Sequence, residues 1–257
     1  MGIAEDKLRI ENAVEELKAV IASKGVDVPE GTRIDGIPSI ISSIPSGGDD
    51  ETLKGMIDRS LASVTVPEGM TSIGKGAFLN CQKLETVILP EGLTAIEESA
   101  FNSCYSLALN ELPDSITRID GYAFFSCSKL ALKSFPDGIT SFGSGSTFMH
   151  CSNLEITKLP SALSGAIGLM TFRECQKITI SEIPEGVTGI GNNAFQNCLG
   201  ITSLTFKGKI RNFDSSAFRG CINLTTINVP WAEGAVANAP WGATNATINY
   251  NYNETGV

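Results

Sequence analysis

From residue 61 onward the apolar positions follow a pattern that restarts every 23 or 24 residues. Cysteine marks the phase, at Cys81, Cys104, Cys127, Cys151, Cys175, Cys198 and Cys221. Three residues before each stands phenylalanine: Phe78, Phe101, Phe124, Phe148, Phe172, Phe195 and Phe218. The residue before that ring is small, Ala77 and Ala100 being typical and Thr147 and Thr171 the largest. Three residues after each cysteine stands Leu or Ile, from Leu84 to Leu224. Proline follows nine after the cysteine at 90, 113, 136, 160, 184 and 230, with Lys207 the exception. A Glu-Gly or Asp-Gly pair usually completes the turn, and Ile73, Ile96, Ile119, Phe142, Ile190 and Phe213 lead into the next ring. The unit reads P-x-G-[apolar]-T-x-I-x-x-x-A-F-x-x-C-x-x-L. Such a unit is too short to enclose a core, so it buries its apolar side chains only against the next copy. The expected shape is a stack of coils, each adding about 4.8 Å, roughly 35 Å in all. Pro-x-Gly supplies a corner, and A-F-x-x-C predicts a tight helical turn.

The strand after each cysteine comes in two registers. Coils one, six and seven read L-x-x-V-x-L, as in Leu84, Val87 and Leu89. Coils two to five move the middle apolar residue one place earlier, to Leu109, Leu132, Ile156 and Ile180. A one-residue shift changes which side chains face outward, so a local change of backbone is expected there. The register names a candidate binding row. It holds Glu85 and Thr86 with Ile88, Asn110 and Glu111, Lys133 and Ser134, and Thr157 and Lys158. Beyond them come Ser181 and Glu182, Ser203 and Thr205, and Thr226 and Asn228. The row is polar, mixed in charge and free of the aromatic and arginine anchors common at hot spots. It reads either as a binding face or as a solvated one.

Several positions depart from the repeat. Gly143–Ser146 and Ser161–Phe172 each carry an extra residue and predict a looser bulge at one edge, with His150 there as a surface residue. Lys207, Lys209 and Arg211 place three positive charges within five residues, a cluster that suits an acidic partner or a solvated strand. Tyr105, Tyr122 and Phe125 are either an exposed aromatic patch or core.

The units resemble bacterial BspA-like leucine-rich repeats, of the 23-residue type with the A-F-x-x-C-x-x-L signature. The resemblance covers about residues 61–230. It implies a β-rich repeat solenoid: a right-handed curved leucine-rich-repeat array of about seven coils, with the strand row on its concave side. It also implies protein binding or adhesion at a bacterial cell surface or outside the cell. No cofactor, metal or catalytic residue is expected.

The ends differ from the array. Leu8, Val14, Leu17, Val20 and Ile21 lie on one face of a predicted helix over 4–23, stopped at Gly25. A second short helix is expected over Ile37–Ile44, a linker at Ser46–Asp50, and a third helix over Thr52–Leu61. The domain scheme is a helical leader at 1–45, a linker and short helix at 46–60, the solenoid at 61–230 and a cap at 231–257. The leader's run from Glu15 through Lys24-Gly25-Val26 to Pro29 and Gly31 resembles N-terminal modules of phage and prophage tail proteins. That likeness implies an alternative, a virion-associated structural or receptor-binding protein, with a homo-oligomer formed through the leader. At the other end, Trp231, Val236 and Trp241 suit a cap over the last layer, and Ala246–Tyr252 suits a final strand. The competing reading makes Trp231, Trp241, Tyr250 and Tyr252 an aromatic binding site.

Composition narrows the function classes. Nineteen basic against 28 acidic residues give a formal charge of -9, which argues against nucleic acid as a partner. A single histidine leaves little for a catalytic triad or a zinc site, and an enzyme is not expected. Seven cysteines without a C-x-x-C read as one buried thiol per coil rather than a disulfide set. The first 45 residues contain no continuous apolar signal segment, and no 18-residue apolar run is present to span a membrane.

Overall fold

The computed structural model describes residues 59–66 and 68–253. The expected leader helices over 4–23 and 37–44 and the linker at 46–50 lie outside the described residues. So does most of the third helix, whose described end, residues 59–61, is a turn and irregular chain.

The chain is a β-solenoid of about eight turns, and no helix occurs among the described residues. Each coil has three sides. The first carries the strand row to which the segments after the cysteines belong: β1 (Ser63–Thr65), β3 (Thr86–Ile88), β7 (Glu182–Ile183), β9 (Ser203–Phe206), β11 (Thr226–Asn228) and β12 (Thr247–Asn249). They pair in parallel as β1-β3 and as β12-β11-β9-β7. The second side carries β2 (Ser72–Ile73), β4 (Ala95–Ile96), β5 (Arg118–Ile119), β6 (Gly165–Ile167), β8 (Val187–Ile190) and β10 (Asn212–Phe213). These form the parallel sheets β2-β4-β5 and β10-β8-β6. Short strands suffice because each backbone group bonds to the next coil rather than along its own segment.

The third side is the A-F-x-x-C turn. Within coil one, Cys81 N–H donates to Phe78 O at 3.0 Å and closes a tight turn. Phe78 N–H donates outward to Ala100 O at 2.7 Å, and Asn80 N–H to Asn102 O at 2.8 Å. Alternate amides thus close the turn and bond the next coil. The residue before each cysteine must take a positive φ, between 59° and 76°, at Asn80, Ser103, Ser126, His150, Glu174, Asn197 and Gly220. Asn and Gly are at home there and His is among the residues that tolerate it, whereas Glu174 adopts it against its ordinary preference.

The seven phenylalanines form one stack. Neighbouring rings lie 5.1 to 5.6 Å apart and within 19° of parallel. Beside them each thiol from Cys104 to Cys221 donates to the carbonyl of the phenylalanine one coil back, as Cys104 Sγ does to Phe78 O at 3.0 Å. Cysteine fits because it is small and apolar yet carries a weak donor for a carbonyl sealed from water. All seven cysteines are buried, and none is in a disulfide. Burial pushes the thiols of Cys104 to Cys198 well above their ordinary range, and that of Cys221 up to about 11. We therefore expect none of the six thiols from Cys104 to Cys221 to react with a disulfide reagent at pH 8 in the folded protein, and all six to react on unfolding. Rapid modification of even one of the six in the native state would contradict the ladder.

The two longer coils are absorbed where the sequence places them. Beside the longer coil five the pairing of β6 with β8 shifts register between Gly165 and Ala166, where β8 advances from Val187 to Gly189. In coil four the extra residue falls in Gly143–Ser146, where Gly145 bridges Leu169. Gly143 has φ of 66° and lies against the backbone of Asp120 and Gly121. A side chain there would be both strained and blocked. Four aromatic rings, Phe135, Phe142, Phe148 and Phe172, fill this wider part of the core at 5.1 to 6.4 Å.

Candidate functional site: the polar strand face

The predicted row lies on the first side of the solenoid. From Glu85 to Ser203 all its members are exposed, and Thr205, Thr226 and Asn228 are half-buried. Strand register aligns Glu182 with Thr205, Thr205 with Asn228, and Asn228 with Asn249. The side chains are linked along this line. Asn228 Nδ2 donates to Thr205 Oγ1 at 3.1 Å, and Asn249 Nδ2 to Asn228 Oδ1 at 2.7 Å. Glu182 is paired with Lys207 at 3.1 Å, so one charge of the predicted basic cluster is spent on this face.

The expected change of backbone is found in coils two to five. Leu109, Leu132, Ile156 and Ile180 are buried, as the shifted pattern requires. Coils two to four form no strand here, and coil five keeps only β7. Single bonds hold the coils together: Ala131 N–H to Leu109 O at 3.0 Å, Glu155 to Leu132 at 3.0 Å and Thr179 to Ile156 at 2.9 Å. Asn110, Lys133, Thr157 and Ser181 therefore stand on looser backbone than Ser203 or Thr226. The face offers hydroxyls, amides, three carboxylates and two ammonium groups, with Ile88, 58% exposed, as its largest exposed apolar side chain.

The other candidates separate. Tyr122 and Phe125 do meet, at 5.9 Å, on the cysteine-turn side, and Phe125 meets the edge of His150 at 5.8 Å. His150 Nδ1 lies 2.9 Å from Glu174 Oε2. Tyr105 is exposed but joins no ring of this group.

The four C-terminal aromatics do not form one accessible surface. Trp241 is fully buried and Trp231 is 5% exposed. Tyr250 packs against the core margin, and Tyr252 is exposed. The two tryptophans cap the array instead. Trp241 follows Phe218 by 23 residues, and Phe218 N–H donates to its carbonyl at 2.9 Å. It stands in the ring position of an eighth turn, stacks on Phe213 at 4.1 Å and donates from Nε1 to Ala237 O at 2.7 Å. The final strand is found as β12. The open edge of β10 is covered in part by Asn238, whose amide reaches Phe213 O at 3.5 Å.

Among the described residues no cluster of three His, Cys, Asp or Glu could hold a metal ion. Among the described residues no helix is long and apolar enough to cross a membrane.

A stack of short parallel strands, a buried ring and thiol per coil, and a polar strand face define a leucine-rich-repeat protein. The chain belongs to the BspA-type leucine-rich-repeat family, whose repeat region matches residues 56–165 and 144–232 in six copies. Among solved structures it is similar to the leucine-rich-repeat protein of T. pallidum, at 27% identity and a TM-score of 0.56, over 63% of this chain and 78% of that one. It is also similar to a leucine-rich cell-surface protein of Faecalibacterium prausnitzii, at 26% identity and a TM-score of 0.46, over 79% of this chain and 63% of that one. A leucine-rich-repeat protein of Bacteroides ovatus matches at 21% identity and a TM-score of 0.43, over 75% of this chain and 61% of that one. The chain thus spans less than two thirds of the last two. No curated protein sequence matches it. The likeness of the leader to phage modules finds no support in these comparisons.

Proposed function

We propose that the chain is a non-catalytic module that binds a protein through its polar strand face, as an adhesin binds an extracellular protein. The observation that carries this is the continuity of the face. A line of exposed and half-buried hydroxyl, amide and charged groups runs through seven coils over a continuous core. A repeating polar surface of this kind matches a folded partner by many individually modest contacts. The mixed signs of Glu85, Glu111, Lys133, Lys158 and Glu182 favour selectivity of pairing over general electrostatic attraction. The buried, unactivated thiols offer no nucleophile.

The test is a panel of purified extracellular proteins probed with the full chain and with Thr157→Arg/Ser181→Arg, which alters the centre of the face. A partner should be retained by the full chain and lost by the double variant. Lys129→Glu, on the cysteine-turn side, should bind normally. No binding to any panel member, or equal binding by the double variant, would overturn the reading.

A further inference from the structure

The register of the strand face changes twice, and the two junctions are built differently. Between coils five and six it is closed. There β7 pairs with β9, Thr205 N–H donates to Ser181 O at 2.8 Å, and Lys207 clamps Glu182. Between coils one and two it is open. Ala108 N–H donates to Glu85 O at 2.9 Å, and past that bond no backbone hydrogen bond joins Val87–Leu89 to coil two. The chain from Leu109 to Asp114 bows away from β3 and leaves a cleft of about 490 Å³. Leu89, Leu109 and Leu112 line it with little of their surface exposed, together with the exposed Ile88. Three carboxylates line it: Glu91, Glu111 and Asp114. All are exposed, and among the described residues none of them has an ion pair or a side-chain hydrogen bond and no lysine or arginine lines the cleft.

We propose that this cleft is the docking groove for an extended, lysine- or arginine-bearing segment of the protein partner. This rests on the protein-binding reading above and names one part of the surface. A segment in β conformation bonds to the unpaired edge of β3 at Val87 and Leu89, as strands add to open sheet edges. Its alternate side chains point to opposite sides, so basic groups on the outer side reach the exposed Glu91, Glu111 and Asp114 while apolar groups on the inner side meet Leu89, Leu109 and Leu112. The charge selects the partner: three unpaired carboxylates repel an acidic segment and draw a basic one. The apolar contacts add area that a purely ionic surface would lack.

The experiment is a fluorescence-polarisation titration of the full chain with a dye-labelled alternating lysine–valine hexapeptide. Saturable binding is expected, weakened by salt and absent for the glutamate–valine peptide. Glu91→Gln/Glu111→Gln/Asp114→Asn should weaken it about tenfold. Glu98→Gln/Glu185→Gln/Glu233→Gln, the same charge change elsewhere, should leave it within about twofold. Methylating alternate backbone nitrogens of the peptide should abolish binding by removing the donors that meet β3. No binding, equal losses in the two triple variants, or indifference to methylation would overturn the groove. The panel separates this from the broader reading. If the extracellular partner is lost in Thr157→Arg/Ser181→Arg but retained in the groove triple, the strand face stands and the cleft falls.

Discussion

Phe148→Ala is expected to destabilise the protein by about 3–5 kcal/mol and to split its unfolding into two transitions. Phe148 is fully buried and, like Phe172 beside it, touches four other rings. It lies parallel to Phe124 at 5.6 Å and Phe172 at 5.5 Å, edge-on to Phe142 at 5.5 Å and tilted against Phe135 at 5.1 Å. Removing it leaves a hole between coils three and five. A repeat array is stable through its nearest-neighbour interfaces, so the loss falls on the joint between two blocks rather than being shared along the chain. Native proteins are stable by only about 5–15 kcal/mol, which makes one such joint decisive. Phe148→Leu fills most of the space and should cost much less. Chemical denaturation followed by far-ultraviolet circular dichroism reads both. A single transition with an unchanged midpoint in the alanine variant would show that the ring stack does not couple the coils.

Trp241→Ala should be nearly as costly, about 3–5 kcal/mol, with a different consequence. This residue closes the last layer, covering Phe213 and contacting Trp231 at 6.4 Å. Without it the rings of Phe213 and Phe218 open to water and the end of the array becomes adhesive. The variant should therefore aggregate at concentrations where the native chain stays dispersed, as light scattering would record. Trp241→Phe restores the residue type of the other coils. It should remain dispersed and give up about 1 kcal/mol for the lost bond to Ala237. If Trp241→Ala were as soluble and as stable as the native chain, the eighth-turn cap would be wrong.

The two substitutions mark what could be read from the chain before its structure. The ring, thiol and leucine positions were legible because a buried layer must be rebuilt in every coil, and burial leaves a period in the sequence. The altered strand backbone of coils two to five was legible for the same reason, through Leu109, Leu132, Ile156 and Ile180. Hydrogen bonding is less visible. The sequence shows that cysteine recurs but not that its thiol serves the phenylalanine carbonyl one coil back. It holds Asn80, Asn197 and Gly220 before the cysteine, a signal for positive φ that His150 and Glu174 obscure. Trp241 lies 23 residues beyond Phe218, and only its change of residue type hid the eighth turn. Along the strand face the row from Glu85 to Ser203 is exposed because the apolar positions flanking it are taken into the core. That one register junction is sealed by Lys207 and Glu182 while the other opens a cleft depends on pairing across coils, which no single-strand pattern reports.

The central claim is that the strand face, and not the turn side or the cap, meets the partner. The most direct measurement places a benzoylphenylalanine photo-crosslinker at Thr157, at Lys129 or at Tyr252 and illuminates each protein with the partner found in the extracellular panel. The account predicts a covalent adduct from position 157 alone. Adducts from position 129 or 252 with none from 157 would contradict it and move the site off the strand face.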